Sequence, residues 1–435
     1  MRTRTLVLGT CLAVTAALTA TACGSGGTKG TSATGPVTVT LMTWESAGTN
    51  AAIDKALADF HAPGITVKRL DTPSGNYADK LAALTQAHQL PDLFWCGNDT
   101  EQQYASQGLL TDWSSRLAAD TQLAGGFAPN VLANWKSPKG KLGGLPSLLN
   151  TYGVWYNADA FTAAGLPLPK AGWTWDEMYR DAAALAHKDG ASYGLIADNM
   201  TSTDGPFTLS TYALSQGQDG FTDNANNPTR ATISPSFTEG VTKLAAAIKA
   251  GDVAPPGYDA ANAQSLLAAG KLPMLFSGQW LAAGFIANKP SVNVGFAPMP
   301  QNGTPATLYD AVGVCTPSAT THPDATFQVL KYLDTTVWSK VLPSSPVAPP
   351  AFTGAQSAYF EALAAADMPT VATAVKAGLD TTATSGVRFT TNWAAQYNDL
   401  VKAYWQPVLA GGRPVSDLYT MATKIKGLIQ SGGNG

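Results

Sequence analysis

The chain has 435 residues, more than one compact domain usually holds and enough for two with sizeable cores. Charged residues are only 13% of it and the formal net charge is −3, with no basic stripe, so nucleic acid is not an expected partner. The low charge, with 42 Gly and 28 Pro, describes a loop-rich globular protein rather than a disordered one.

The N-terminus reads as an export signal. Met1-Arg-Thr-Arg4 is basic, residues 6–20 are almost wholly apolar or small, and Ala20-Thr-Ala precedes Cys23. That apolar run is too short and too rich in Ala and Thr to span a bilayer. The small residues before Cys23 resemble the lipobox of bacterial lipoproteins, with Ala20 where Leu is usual. The resemblance implies a signal over residues 1–22 and a lipid on Cys23; a cleaved signal with an incidental cysteine is the alternative. Residues 23–35, mostly Gly, Ser and Thr, predict a flexible tether. Loss of Arg2 and Arg4 with the signal leaves the body at about −5. The expected location is outside the cytoplasm, anchored by lipid to the cell membrane.

From Val37 the pattern alternates strands with helices. Val37-Thr-Val-Thr-Leu41 has the period of a strand, Ile53, Ala56, Leu57 and Phe60 share one helical face, and Ile65-Thr-Val67 begins a second strand. Residues 77–87 read as helix and Pro91-Asp-Leu-Phe-Trp95 as strand. A second region repeats the grammar. Gly153-Val-Trp-Tyr156 predicts a strand, Thr174-Trp-Asp-Glu177 a capping box opening a helix, and Tyr193-Gly-Leu-Ile196 another strand. Ser236-Phe-Thr-Glu239 reads as a second capping box, residues 272–276 and 292–296 as strands, and 324–333 as helix. From Tyr359 onward the pattern is mainly helical. Strands alternating with helices predict an α/β protein with largely parallel sheets. Cys96 and Cys315 remain in the body, as a bridge or as two buried apolar residues. Zinc is not expected, since His61, His88, His187 and His322 are scattered and no ligand cluster accompanies either cysteine.

A series of segments in fixed order carries a family resemblance. They include Thr43-Trp-Glu45, Asn76-Tyr-Ala-Asp-Lys-Leu81, Leu90-Pro-Asp-Leu-Phe-Trp95, Gly143-Gly-Leu-Pro146 and Val154-Trp-Tyr-Asn157. Ala164-Gly-Leu-Pro167, Trp173-Thr-Trp-Asp-Glu177, Ala269-Gly-Lys271 and Ser277-Gly-Gln-Trp280 follow. Over roughly 300 residues their order is similar to that of extracellular solute-binding proteins of carbohydrate ABC importers, the branch that includes maltose-binding protein. The resemblance implies a two-lobed periplasmic-binding-protein-like fold, each lobe a largely parallel sheet flanked by helices, with three crossovers as the hinge. Lobe one would hold residues 36–145 and 299–341, lobe two residues 146–298 and 342–435. Both Cys96 and Cys315 would then lie in lobe one on strands that are candidate neighbours, which keeps the disulfide open.

The same resemblance directs attention to the cleft between lobes. Trp44 and Glu45 follow the first strand, at the carboxyl end where ligand crevices form. Trp95, Asn98 and Asp99 follow the Pro-Asp strand. Trp280 matches the family's stacking aromatic, with Gln279 replacing a common Pro and leaving the backbone less fixed. Phe207 and Gln216 stand where the second lobe presents an aromatic and a polar contact. Asp310 precedes the returning strand, and Arg388 and Trp393 lie in the helical tail. Trp173, Trp175 and Tyr156 are expected to pack. The function implied is capture of a carbohydrate, a di- or oligosaccharide, for delivery to an ABC permease by a monomer with no cofactor or metal.

Rival readings are a non-sugar solute on the same fold, a surface adhesin or sensor, and a secreted enzyme. Gly190-Ala-Ser-Tyr-Gly194 fits G-x-S-x-G, but a helix precedes the Ser and a strand follows, the reverse of a nucleophile elbow. Glu45 and Asp99 are a nominal carboxylate pair for glycoside cleavage, yet no motif marks them as catalysts. No Walker loop is present.

Overall fold

A computed structural model describes residues 35–72, 76–137, 139–223, 228–258, 260–387, 391 and 393–432. Cys23 and Arg388 therefore lie outside the described residues. The chain divides into two units, Met1–Pro36, of which Gly35 and Pro36 are described, and Val37–Gly435. No helix among the described residues is long and apolar enough to cross a membrane.

The second unit carries two sheets. β1 (Val37–Met42) and β2 (Ile65–Leu70) pair in parallel along their full length, and β3 (Leu93–Gly97) joins β1 in parallel. β4 (Gly144–Asn150) and β5 (Tyr152–Asn157) follow, then β6 (Leu195–Ile196), β7 (Met274–Gly278), β8 (Val294–Pro298), β9 (Ala306–Cys315) and β10 (Ala383–Gly386). The first sheet has the order β10-β9-β3-β1-β2, with β4 also paired to β9; the second runs β6-β7-β5-β8.

The two-sheet α/β architecture agrees with the sequence reading, and the pairing sense refines it. In the first sheet β9 runs antiparallel to β3 and to β4. In the second, β5 is antiparallel to both β7 and β8, and β6 and β7 alone are parallel. The expectation of largely parallel sheets thus fails for the second. Alternation along one strand reports which faces are buried, not which way its neighbour runs.

β5 and β7 show the burial directly. Tyr152, Val154 and Tyr156 join Met274 and Phe276 in one core cluster, while Trp155 and Leu275 face the other. Both faces are covered, which is why β5 reads as a continuous apolar run. In β4 the pairing register with β9 shifts between Pro146 and Leu148. Proline cannot donate to a ladder, so a bulge is the place for it.

The chain changes sheets at Thr151, between β4 and β5. Residues 146–150, assigned above to the second lobe, are strand, and Pro146, Leu148, Leu149 and Asn150 pair with β9 in the first sheet. The Thr174 capping box forms, with Glu177 N donating to Thr174 Oγ1 at 3.1 Å and Thr174 N to Glu177 Oε2 at 2.7 Å. The second box does not. The helix Pro235–Ala250 is capped by Ser234, whose Oγ accepts from Phe237 N at 3.1 Å, because Pro235 suits the first helical position. Ser236 instead donates to Gln216 Oε1 at 3.0 Å. Cys96 and Cys315, on β3 and β9, form a disulfide with Cα atoms 5.9 Å apart.

Candidate functional site

The turn after β1 begins the site. Trp44 and Glu45 leave the strand, Ser46 caps the helix Ala47–Leu57 by accepting from Thr49 N at 3.2 Å, and a cleft of about 700 Å³ opens beside them. Both sheets contribute to it. Asn150 ends β4, Asp310 and Val312 lie on β9, Tyr152 opens β5, and Trp280 follows β7. Asn199, Asn288 and the segment Ser344–Ser345 complete the polar wall, with Ala283, Gly284 and Ala287 as an apolar floor. The volume falls within the range of small-ligand sites.

Trp44 is 37% exposed, a large apolar ring held open to solvent. Its edge meets Tyr77, whose hydroxyl donates to Trp95 O at 2.6 Å, so the ring has a fixed backing. Glu45 accepts from Trp95 Nε1 at 2.8 Å. Burial raises its carboxyl above the usual range, and the Trp95 hydrogen bond opposes that shift. Trp95 itself is fully buried and stacked on Trp338, so it meets the cleft through Glu45. Across the cleft Asp310 Oδ2 accepts from Asn150 Nδ2 at 3.0 Å and from the Tyr152 hydroxyl at 3.3 Å.

The turn bearing Trp280 depends on two neighbours. A Cβ on Gly278 would sit 1.7 Å from the Trp280 ring, so only glycine lets the ring fold back over the strand end. Tyr152 then meets that ring edge-on at 5.3 Å. Gln279 is fully buried, and its N donates to Thr151 O at 3.1 Å. The expectation that Gln at this position loosens the turn is therefore corrected: the amide fixes it from the side chain as well as the backbone.

Trp44, Glu45, Trp280 and Asp310 thus share one cleft. Asn98, at the start of the helix Asn98–Ser106, and Phe207 line a different cavity, of about 290 Å³, with Ser210, Tyr309 and Ser385. Asp99 Oδ1 accepts from Thr100 N at 2.8 Å, a helix-terminal role. Gln216 accepts from Ser236. Trp393 is buried in the second core cluster. The sequence reading missed Asn150, Tyr152, Asn199 and the Ser344–Ser345 segment. The first two flank the crossover at Thr151, which the sequence did not signal because no periodicity announces β4.

The profile of the family described as bacterial extracellular solute-binding protein matches residues 44–336. A candidate ABC transporter periplasmic-binding protein of Escherichia coli (strain K12), YcjN, is 26% identical over 168 residues, 38% of this chain and 38% of that protein. Two solved structures align over nearly the whole body. The ABC substrate-binding protein Lmo0181 of Listeria monocytogenes, in complex with cycloalternan, gives a TM-score of 0.73 at 19% identity, covering 91% of this chain and 98% of that one. The cyclic α-maltosyl-1,6-maltose binding protein of Arthrobacter globiformis gives 0.73 at 20%, covering 92% and 100%. At these identities the likeness is one of fold.

Proposed function

This chain belongs to the bacterial extracellular solute-binding protein family, and we propose that it captures a di- or oligosaccharide in the cleft at Trp44 and Trp280. The observation that carries the reading is the composition of that cleft. Three aromatic rings, Trp44, Tyr152 and Trp280, stand with the carboxylates of Glu45 and Asp310 and the amides of Asn150, Asn199 and Asn288. Ring faces stack on the apolar C–H faces of sugars, and carboxylates and amides bond the hydroxyls. An incorrect hydroxyl pattern leaves buried polar groups unpaired, at about 1–3 kcal/mol each, which is the source of specificity.

The mechanism needs two lobes, one on each sheet, meeting at the cleft. A ligand that touches both lobes favours the closed arrangement by its extra contacts there. The permease of an ABC importer reads that closure and receives the sugar; no bond in the ligand is broken. A lipid on Cys23 tethers the monomeric body to the outer face of the cell membrane.

The test is a titration of residues 36–435 with mono-, di- and oligosaccharides, followed by melting temperature and Trp fluorescence. A glycan at a hundred times its dissociation constant should add about 2.7 kcal/mol of stability, and Trp280→Ala should weaken binding by about tenfold or more while leaving it measurable. No response with slow glycan turnover would replace this reading with an enzyme. No response and no turnover would replace the sugar with another solute.

A further inference from the structure

We propose that Gln279 is the positioning residue of the cleft: it never touches ligand, but it locks the Trp280 ring and the Asp310 carboxylate into one preset geometry. The ligand readout of this assignment rests on the carbohydrate reading above.

A primary amide offers two acceptor sites and two donor hydrogens, and Gln279 uses all four while fully buried. Its Oε1 accepts from Thr151 N at 2.7 Å and from Thr151 Oγ1 at 3.3 Å. Its Nε2 donates to Asn150 Oδ1 at 3.2 Å and to Val347 O at 3.3 Å. Thr151 N can only donate, so the amide has a single orientation. One side chain thus binds the residue where the chain changes sheets, the last residue of β4, and the 344–348 wall of the cleft.

The network then closes on itself. Asn150, oriented by Gln279, passes its Nδ2 hydrogen to Asp310. Tyr152 donates to the same Asp310 oxygen and presents its ring to Trp280, the residue after Gln279. Stacking face and acceptor are therefore set by one circuit, Gln279 to Asn150 to Asp310 to Tyr152 to Trp280. Buried networks of this kind hold geometry only while every member is satisfied. A methionine of similar length leaves Thr151 N, Asn150 Oδ1 and Val347 O without these partners. A glutamate keeps the bonds from Thr151 but turns its second oxygen on two acceptors. Pre-set geometry matters because ordering a cleft after encounter subtracts from affinity.

The experiment is a double-mutant cycle on the lipid-free body, using a glycan that the wild type binds. Gln279→Met should weaken binding about tenfold or more, and Gln279→Met with Trp280→Ala should bind within about threefold of Trp280→Ala alone. Losses that multiply would overturn the proposal, because they would make Gln279 a structural residue independent of the ring. If Gln279→Met does not fold, Gln279→Glu takes its place in the cycle with the same expected result. A ligand-free arm uses 5-fluorotryptophan and fluorine NMR, with the Trp280 signal assigned by Trp280→Phe. That signal should be single and sharp in the wild type, and broadened or split in Gln279→Glu. An unchanged signal overturns the positioning role. If no glycan binds the wild type, the carbohydrate reading fails and the fluorine spectrum alone decides Gln279.

Discussion

Glu101 is fully buried on the helix Asn98–Ser106, where Oε1 accepts from Gly143 N at 2.7 Å and Oε2 has no hydrogen-bond partner among the described residues. Burial pushes its pKa up to about 8. Asp334 is similar: burial holds it well above the carboxylate range, with one hydrogen bond, from Ser147 Oγ. The Glu101 carboxyl, raised in the folded state, keeps a proton that the unfolded chain releases at about pH 4.5. Its stabilisation is complete below that value and is lost as pH rises toward 8, by at most about 1.4 kcal/mol per pH unit. Urea unfolding at pH 5 and pH 8 should show this decline, and Glu101→Gln, which keeps the acceptor for Gly143, should flatten it. At Glu45, a Gln retains the acceptor for Trp95 Nε1 but loses the charge. We expect Glu45→Gln to leave stability within about 0.5 kcal/mol and to weaken glycan binding about tenfold, as loss of a charged hydrogen bond would; urea unfolding checks the first and calorimetric titration the second.

Elements show where local sequence rules compete. Ser234-Pro-Ser236 offers two caps for one helix, and both fit a capping pattern on paper. Proline at the first helical turn decides for Ser234, since its missing N–H is one that the helix leaves unpaired anyway. Ser234→Ala should cost about 1 kcal/mol, and Ser236→Ala less, both measurable by thermal unfolding. β4 shows the converse. Pro146 argues against a strand, yet the bulge beside it keeps the pairing with β9, while Ser147 reaches Asp334 and its carbonyl accepts from Ala351 N at 2.9 Å. No periodicity announces a strand that depends on a distant segment to cover it.

On the scale of the whole molecule, the disulfide ties β3 to β9 across 219 positions of sequence. In the chain-entropy account so long a loop is worth about 5 kcal/mol. Cys96→Ala with Cys315→Ala should therefore lower the melting temperature by several degrees without altering sugar specificity, since neither sulfur lines the cleft. The cleft draws on β1, β4, β5, β7 and β9, so its assembly requires both sheets to form. Stability gained on ligand addition and closure measured by small-angle scattering should rise together, and Trp280→Ala should shift both to higher ligand concentration.

What the sequence determined by itself follows from short-range physics. Period 2 places β1, apolar runs place β3 and β5, and period 3.6 places the helices at Ala47–Leu57, Tyr77–Gln86 and Pro235–Ala250; the Thr174 box opens its helix, the end of β1 marks Trp44 and Glu45 as candidates, and Trp280 rests on the family resemblance. Asp310, expected just before the returning strand, lies within it, because β9 begins at Ala306. Tertiary structure decided the rest. It set the antiparallel sense of β5, the linkage of Cys96 to Cys315, and the sorting of Asn98 and Phe207 into a separate cavity. It also turned Gln279 from an apparent weakness into a buried anchor, through bonds to Asn150, Thr151 and Val347. Backbone propensity acts between residues a few positions apart. Those bonds join residues 68 to 129 positions apart, and only the folded chain brings them within hydrogen-bond reach.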